Sequence, residues 1–343
     1  MKQTSQSFRY IASLLALGLG ISAASAAHAA DKEKPPYDVG ELPKGFEVEW
    51  PASPDIEQDA SVSTVEEFNK AAATAGTRIT VEGKIDRAGT ITANDVEVQM
   101  NDGASLGGLR VERGVKRVFL NGGTYTNTVE IAYPTQFYPS RVSKPEWQAE
   151  DILIDGVDVT SPTTAFFLRG NRVALLHSTT HSEDYAVFSD TGEGMQNHDV
   201  ILADNDLTSN GHQATVRLIS ARESVTVDNR ITSLMSFNGL KHNYRVHGQT
   251  DKAFAARNEL VNAGVMLSTM PGDHTKQIWF EDNTFHHQTP DLFNPSRTTI
   301  DELYVHDNTA YTNVWKCLYC LSPVDGWDFG DNVVKPYEPP PAL

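Results

Sequence analysis

Cysteine, positive charge and long apolar runs are all scarce in this chain. The only two cysteines, Cys317 and Cys320, form a C-x-x-C within "WKCLYC". No second ligand pair accompanies them and no thioredoxin-like βαβ context surrounds them. That argues against a metal or redox role and leaves a local disulfide, or two free or buried thiols, as the open readings. Lysine and arginine number 28 against 45 aspartates and glutamates, a net charge of −17. So acidic a chain is a poor partner for nucleic acid or anionic membrane, and any polyanion it meets must be held by a local basic patch.

One apolar run, residues 11–21, is too short to span a bilayer, and no second one follows. Lys2 and Arg9 precede it, and small residues ending in Ala27-His28-Ala29 follow, which is the pattern of a secretory signal peptide cleaved after Ala29. Residues 1–29 are therefore expected to be a signal peptide, and the mature chain to be exported, periplasmic or extracellular, without a membrane anchor. Tight hairpin turns such as Asn-Gly are also sparse, which argues against a β-sandwich.

What is present begins with a polar, proline-rich stretch, residues 30–60, read as an extended leader. After it, Ser63 followed by Glu66 has the spacing of a capping box, and Val65, Phe68 and Ala72 share a helical face. Gly76 can end that helix before the strand-like "TRITVEG". An amphipathic helix leading into a strand suits the open end of a stacked β structure.

From Val115 onward one pattern recurs: "VKRVFLNGGTYTN" (115), "AEDILIDGVDVTS" (149), "GNRVALLHSTTHS" (170), "NHDVILADNDLTS" (197), "ARESVTVDNRITS" (221), "TDKAFAARNELVN" (250), "TKQIWFEDNTFHH" (275) and "IDELYVHDNTAYT" (300). The copies start 21 to 34 residues apart, a solenoid period. Their fourth and sixth positions are usually apolar, as in Val118/Leu120, Ile152/Ile154 and Ile278/Phe280, the alternation of a strand with one face buried. The ninth position is asparagine in five consecutive copies, Asn205, Asn229, Asn258, Asn283 and Asn308. Asparagine tolerates a left-handed turn, and its amide both donates and accepts, so stacked copies can bond in a ladder. Such a unit buries its apolar face only against the next one. The expected fold is all-β: a right-handed parallel β-helix over residues 61–315 with an N-terminal capping helix and a C-terminal tail, residues 316–343. Propeller blades need about 40 residues each and fit less well.

The capped helix, "TRITVEGKI" and the asparagine-bearing coils resemble the pectate-lyase-like superfamily of parallel β-helices, over roughly residues 60–315. That superfamily is mostly carbohydrate-active but also contains phage tail and adhesion proteins, so the fold alone does not assign a function.

Chemistry is sought on the second strand of each coil. In "LKHNYRVHG" (240–248), strand alternation places Lys241, Asn243, Arg245 and His247 on one face, and His242, Tyr244 and Val246 on the other. If Tyr244 and Val246 point inward, the first set points outward, and Arg217 of "ATVRLIS" lies beside Arg245 one coil away. A solvated face paired with loop acids is one reading of this strip. The other is β-elimination on a uronic-acid polysaccharide, which needs a cation on the sugar carboxylate, a base for the C5 proton and an acid for the leaving O4. "ATVRLIS…DN" followed by "YRVHG…N" is similar to the chondroitinase B and alginate lyase group. The resemblance gives Arg245 the acid or carboxylate-binding role and places Arg217 where that group has a lysine, which leaves Lys241 or Arg217 as base.

The candidate catalytic residues are thus Lys241, Arg245 and His247, and the candidate substrate-binding residues Arg217, Asn243, His212 and Trp279. The resemblance also implies calcium, for which Asp184, Asp190 and Glu193 are the candidate ligands, with loop solubility as the alternative role for those acids. Trp279 enters through an outward row, Phe254, Trp279 and Tyr304, which is either a sugar platform or is covered by the C-terminal tail folding back. The partner expected is an anionic polysaccharide met by a monomer. The competing readings are a non-catalytic glycan-binding or scaffold β-helix, a C5-epimerase, and a hydrolase. The hydrolase is weakened because the coils hold neither an Asp-Asp pair nor a Gly-His-Gly.

Overall fold

The computed structural model describes residues 35–133, 144–190, 196–211, 213–234, 242–267, 274–287, 300–313 and 325–341, and the backbone of 291–295 and 316–317. The signal-peptide pattern, Lys241, His212, Glu193, Cys320 and the side chain of Cys317 lie outside these residues.

Strands stack coil upon coil into three ladders, here called the first, second and third sheets, and every pairing among the described residues is parallel. The first two are joined into one 21-stranded sheet through the continuous strands Lys116–Tyr125 and Ala149–Ser161. The first sheet runs from Gln58–Val62 to Trp327–Gly330, the second from Lys84–Ile85 to Val333–Lys335, and the third from Gly89–Ile91 to Lys316–Cys317. This is a right-handed parallel β-helix, the hand that parallel crossovers almost always take. The register matches the sequence repeat residue for residue: Val118 pairs with Ile152, Ile152 with Val173, Val173 with Val200, Ser224 with Ala253, and Ile278 with Leu303.

The fourth and sixth positions fill one continuous core. Ser224 and Thr226 break the apolar pattern there because Tyr244 enters from the third sheet. Its ring is buried, and Thr226 Oγ1 donates to its hydroxyl at 3.3 Å. Burial pushes the Tyr244 phenol up to about 12, so it is a packing group and not a proton donor.

The asparagine ladder forms as expected. Asn205, Asn229, Asn258 and Asn283 each donate through the backbone N and Nδ2 to Oδ1 of the next asparagine, at 2.8–3.1 Å. Asn308 continues the series to Asn332. The left-handed residue is not the asparagine, however, but the position before it. His177, Asp204, Asp228, Arg257, Asp282, Asp307 and Asp331 have φ between 46° and 58°. In the two copies where the strand runs unbroken round this corner, Gly122 and Gly156 take that position with φ of 69° and 64°. The asparagine side chain turns inside the corner, where it satisfies strand carbonyls. Asn205 Nδ2, for example, donates to Leu175 O at 2.9 Å.

The capping helix is Val65–Ala71, with Val65, Phe68 and Ala72 buried in the core. Its capping box is set one residue later than the sequence spacing suggested. Thr64 is the cap, and Glu67 answers by accepting from the backbone N of both Ser63 and Thr64. Phe68 lies so close over Gly89 that a Cβ there would stand 2.4 Å from its ring.

The cover of the aromatic row differs from expectation. The C-terminal segment does not fold back over the aromatic row. Instead Trp327–Gly330 and Val333–Lys335 pair with Ile300–His306 and Thr309–Tyr311 and add another coil. The leader covers the row. Phe46 meets Trp279 and Phe254 edge-on at 5.9 and 6.3 Å, and Val39, Leu42, Val48 and Trp50 pack on the same apolar surface. The backbone N atoms of Glu49, Ala52 and Asp55 donate to Asp199, Asp151 and Asp95, each at 3.1 Å. Three leader residues thus span two coils, about 10 Å, the rise of an extended chain. Between these acids, Arg117 grips Asp95 and Arg172 grips Asp151, each through two hydrogen bonds. No described helix is long and apolar enough to cross a membrane.

Candidate functional site

The third sheet carries the candidate chemistry. Register aligns Val216 with Tyr244, Arg217 with Arg245, Leu218 with Val246, and Ile219 with His247. Tyr244, Val246, Val216 and Leu218 are core residues. Arg217 and Arg245 therefore project from the outer face side by side, about 4.8 Å apart at the backbone. His247 is on the same face and only 5% exposed.

Arg217 is the hub. Its Nε donates to His247 Nε2 at 3.0 Å, and its Nη1 donates to the Tyr185 hydroxyl at 3.0 Å and to Gln213 Oε1 at 2.9 Å. Tyr185 in turn donates to Gln213 Oε1 at 2.7 Å. A guanidinium has no acceptor, so His247 Nε2 accepts, and the imidazole is neutral with its proton on Nδ1. The arginine lies over the rings of Phe188 and Tyr185, at 5.4 and 5.9 Å. Those rings, with Phe167, Ala214 and Ile219, form a small apolar cluster outside the sheet. This packing and three N–H bonds orient the guanidinium.

Burial raises the Tyr185 phenol above its ordinary value, while the charge and hydrogen bond of Arg217 and the charge of Arg245 pull it partly back. The phenol is protonated at neutral pH and able to donate. A cation thus stands in direct contact with one neutral base and one phenolic acid.

Further along the same face, Arg169 Nε donates to Asp190 Oδ1, and both side chains are 3% exposed. Arg169 lies over the Phe167 ring at 4.6 Å and places Nη1 3.8 Å from Glu130 Oε1. Asp190 is therefore committed to an arginine.

No family model matches the chain, and no curated protein matches it. Among solved structures, the crystal structure of an alginate lyase from Paenibacillus sp. strain FPU-7 matches with a TM-score of 0.42 and 12% identity, covering 81% of this chain and 99% of that one.

The sequence-expected site residues separate into groups. Arg217, Arg245 and His247 come together. Asn243 does not join them. It is fully buried at the start of its strand, where its amide donates to Val261 O and Ala263 O at 2.9 and 3.1 Å and braces the corner of the next coil. Trp279 is on the first sheet, stacked on Tyr304 at 5.6 Å and covered by Phe46, so it is no sugar platform. The proposed calcium ligands lose Asp190 to Arg169, and no group of three acids, histidines or cysteines among the described residues is placed to hold a metal. Asp184 is half-buried beside Tyr185.

Tyr185, Gln213 and Arg169 were not singled out from the sequence. Tyr185 and Gln213 flank their strands, outside the alternation that selects outward residues. The one usable signal was position: Gln213 directly precedes the Arg217 strand, Tyr185 precedes the neighbouring strand Val187–Ser189, and Arg169 follows Phe166–Phe167.

Two other hollows are less suited to chemistry. One, of about 380 Å³, opens on the second sheet beneath Glu338 and Pro341, but its charges already pair, as in Arg230–Glu259 at 3.1 Å. The other, also about 380 Å³, lies at the rim of the first sheet among ion pairs such as Lys276–Asp251 at 2.8 Å.

Proposed function

We propose that this chain is an exported, monomeric polysaccharide lyase that cleaves a uronic-acid polymer by β-elimination on the outer face of the third sheet. One observation carries the reading: Arg217 bonds at once to a neutral histidine nitrogen and to a phenolic hydroxyl, each at 3.0 Å. The export rests on the pattern of residues 1–29.

In this reading the sugar carboxylate docks between Arg217 and Arg245, whose charges stabilise the enolate-like state that forms when C5 loses its proton. The carboxylate draws Arg217 from His247, and the freed Nε2 lone pair takes that proton. The C5–H electrons form the C4–C5 double bond, the C4–O4 bond breaks, and O4 leaves with the proton of the Tyr185 hydroxyl. Solvent then returns the proton from the imidazolium to the phenolate. Lys241, outside the described residues, is the alternative base.

The test is ultraviolet absorbance of the unsaturated uronate, with mature protein against alginate, polygalacturonate, chondroitin, dermatan, hyaluronan and glucuronan, with and without calcium. A rise that is lost in His247→Gln and Tyr185→Phe, with unchanged folding, is expected. If Lys241→Ala abolishes it while His247→Gln does not, the base is Lys241. Reducing ends without absorbance would identify a hydrolase, and C5 inversion without cleavage an epimerase. A second reading, a non-catalytic glycan-binding patch, is favoured by the low exposure of His247 and Tyr185, 5% and 8%, and by their mutual satisfaction through Arg217. Affinity without any product would establish it.

A further inference from the structure

The outward row that carries Arg217 and Arg245 carries another arginine several coils earlier, and the row runs on to Thr90 before it and to Met266 after Arg245. Register places Arg110, Glu130, Phe167, Phe188, Arg217 and Arg245 on successive coils of one line. Arg110 is four coil steps from Arg217, about 19 Å at about 4.8 Å per step. A hollow of about 310 Å³ opens beside it, lined by Gly107, Arg110, Asn127, Glu130, Tyr133 and Phe167 among others. That volume is at the small end for ligand pockets and suits a single sugar ring.

Gly107 brings bare backbone to the wall of the hollow, because it packs directly on the preceding coil: a Cβ at this position would stand 2.1 Å from Asp86 O. The Arg110 side chain is exposed and lies over the Tyr133 ring, its guanidinium carbon 4.6 Å from the centroid. Among the described residues Arg110 makes no ion pair. Stacking on the ring orients the planar fork while leaving its N–H edge available, the arrangement that receives a carboxylate through two hydrogen bonds. Glu130, between the two cationic ends, is offset by Arg169 at 3.8 Å. A line with cations at both ends and aromatic rings between them fits a linear polymer that repeats its carboxylates, and fits a single small acid poorly.

We infer that the Arg110–Tyr133 hollow is a distal subsite that binds the carboxylate of a second uronate ring in the polymer whose reacting ring sits at Arg217 and Arg245. The inference rests on the proposed function for its substrate class. It adds that the enzyme engages the interior of a chain, with several rings in the groove.

The experiment compares wild type, Arg110→Ala and Arg110→Lys. Binding to alginate, polygalacturonate, hyaluronan and chondroitin sulfate is read by affinity electrophoresis. Elimination is read by absorbance on each bound polymer and on its size-fractionated oligomers. Expected for Arg110→Ala is a loss of polymer affinity of tenfold or more, with KM raised and kcat unchanged on polymer. Both constants should be unchanged on oligomers too short to reach from Arg217 to Arg110. Arg110→Lys, which keeps the charge but not the fork, should recover only part of the affinity. Stronger binding to chondroitin sulfate than to the carboxylate-only polymers, lost in Arg110→Ala, would assign the subsite to sulfate and overturn the carboxylate. Equal losses on short and long substrates, or none on polymer, would overturn the subsite while leaving the reaction standing. Arg110-dependent binding without absorbance would keep the subsite and sink the reaction. Failure of the wild type to bind any of the four polymers would sink both.

Discussion

On the first sheet the outward row reads Leu153, Ala174, Ile201, Val225, Phe254 and Trp279; on the third it reads Arg110, Glu130, Phe167, Phe188, Arg217 and Arg245. Both rows arise from the same strand alternation, and both contain aromatic rings. Between Phe119 and Tyr304 the first row has no charge to solvate, and the leader packs on that stretch, while the row turns charged at Glu97 and Asp328 beyond it. The third interleaves guanidinium groups with its rings, and a desolvated charge is costly unless paired, so that face keeps openings such as the Arg110 hollow. Aromatic residues on an outer strand face therefore do not by themselves mark a binding platform. The charges placed among them decide whether the chain covers its own surface or leaves it for a ligand.

The largest effect that would break this contrast is on the open face. His247→Gln is expected to lower elimination by about 100- to 10,000-fold, with little change in melting temperature because the glutamine amide oxygen can still accept from Arg217 Nε. Initial rates and thermal melts on the same samples check it, and a melt lowered in step with activity would make His247 a structural residue. On the closed face Phe46→Ala should do the reverse. It should cost about 3–5 kcal/mol in denaturant unfolding and leave kcat/KM where it was. A change in kcat/KM without loss of stability would mean that the leader belongs to the site.

The corner shared by both faces comes next. Asn258→Ala removes a side chain that donates to Thr226 O and Asn283 Oδ1 and accepts from Asn229, so it should cost about 1–3 kcal/mol for the buried groups left unsatisfied. Activity should follow stability only near the melting temperature.

The smallest effect concerns the leader's acid ladder. Hydrogen bonding to Arg117 holds Asp95 below its ordinary value, so its contribution is present above the unfolded value near 3.8 and is lost as pH falls through the depressed folded value. Asp199, raised by burial, has the opposite sign: acidification relieves its penalty first. Asp95→Asn should therefore cost about 1 kcal/mol or less at neutral pH, and the difference from wild type should vanish in strong acid. A difference that persists in strong acid, below the depressed folded value, would place the effect in packing and not in charge.

Much of this was legible in the residues. The eight copies stand in the register the strands adopt, and Arg217 faces Arg245, a pairing that inward Tyr244 and Val246 allowed but did not fix. The asparagines bond in the ladder their amides allow, although the left-handed twist belongs to the preceding residue. Asn243 was misplaced because alternation fails where a strand leaves a corner, and a register shift between His242 and Tyr244 marks that spot. Tyr185 and Gln213 stayed hidden because a residue that flanks a strand has no periodic signature. The leader's role was invisible for another reason: its partners lie far along the chain, as with Gly45 O and Lys252 Nζ, 207 residues apart.

By itself the sequence determined the coil and the buried row, because alternation and the asparagine period are local and repeat in every turn; the register of the second strands came only with the structure. Only the tertiary structure decided which outer face is closed and which groups touch Arg217. Those outcomes depend on contacts between segments far apart in the chain, whose pairing energy leaves no trace in the local pattern.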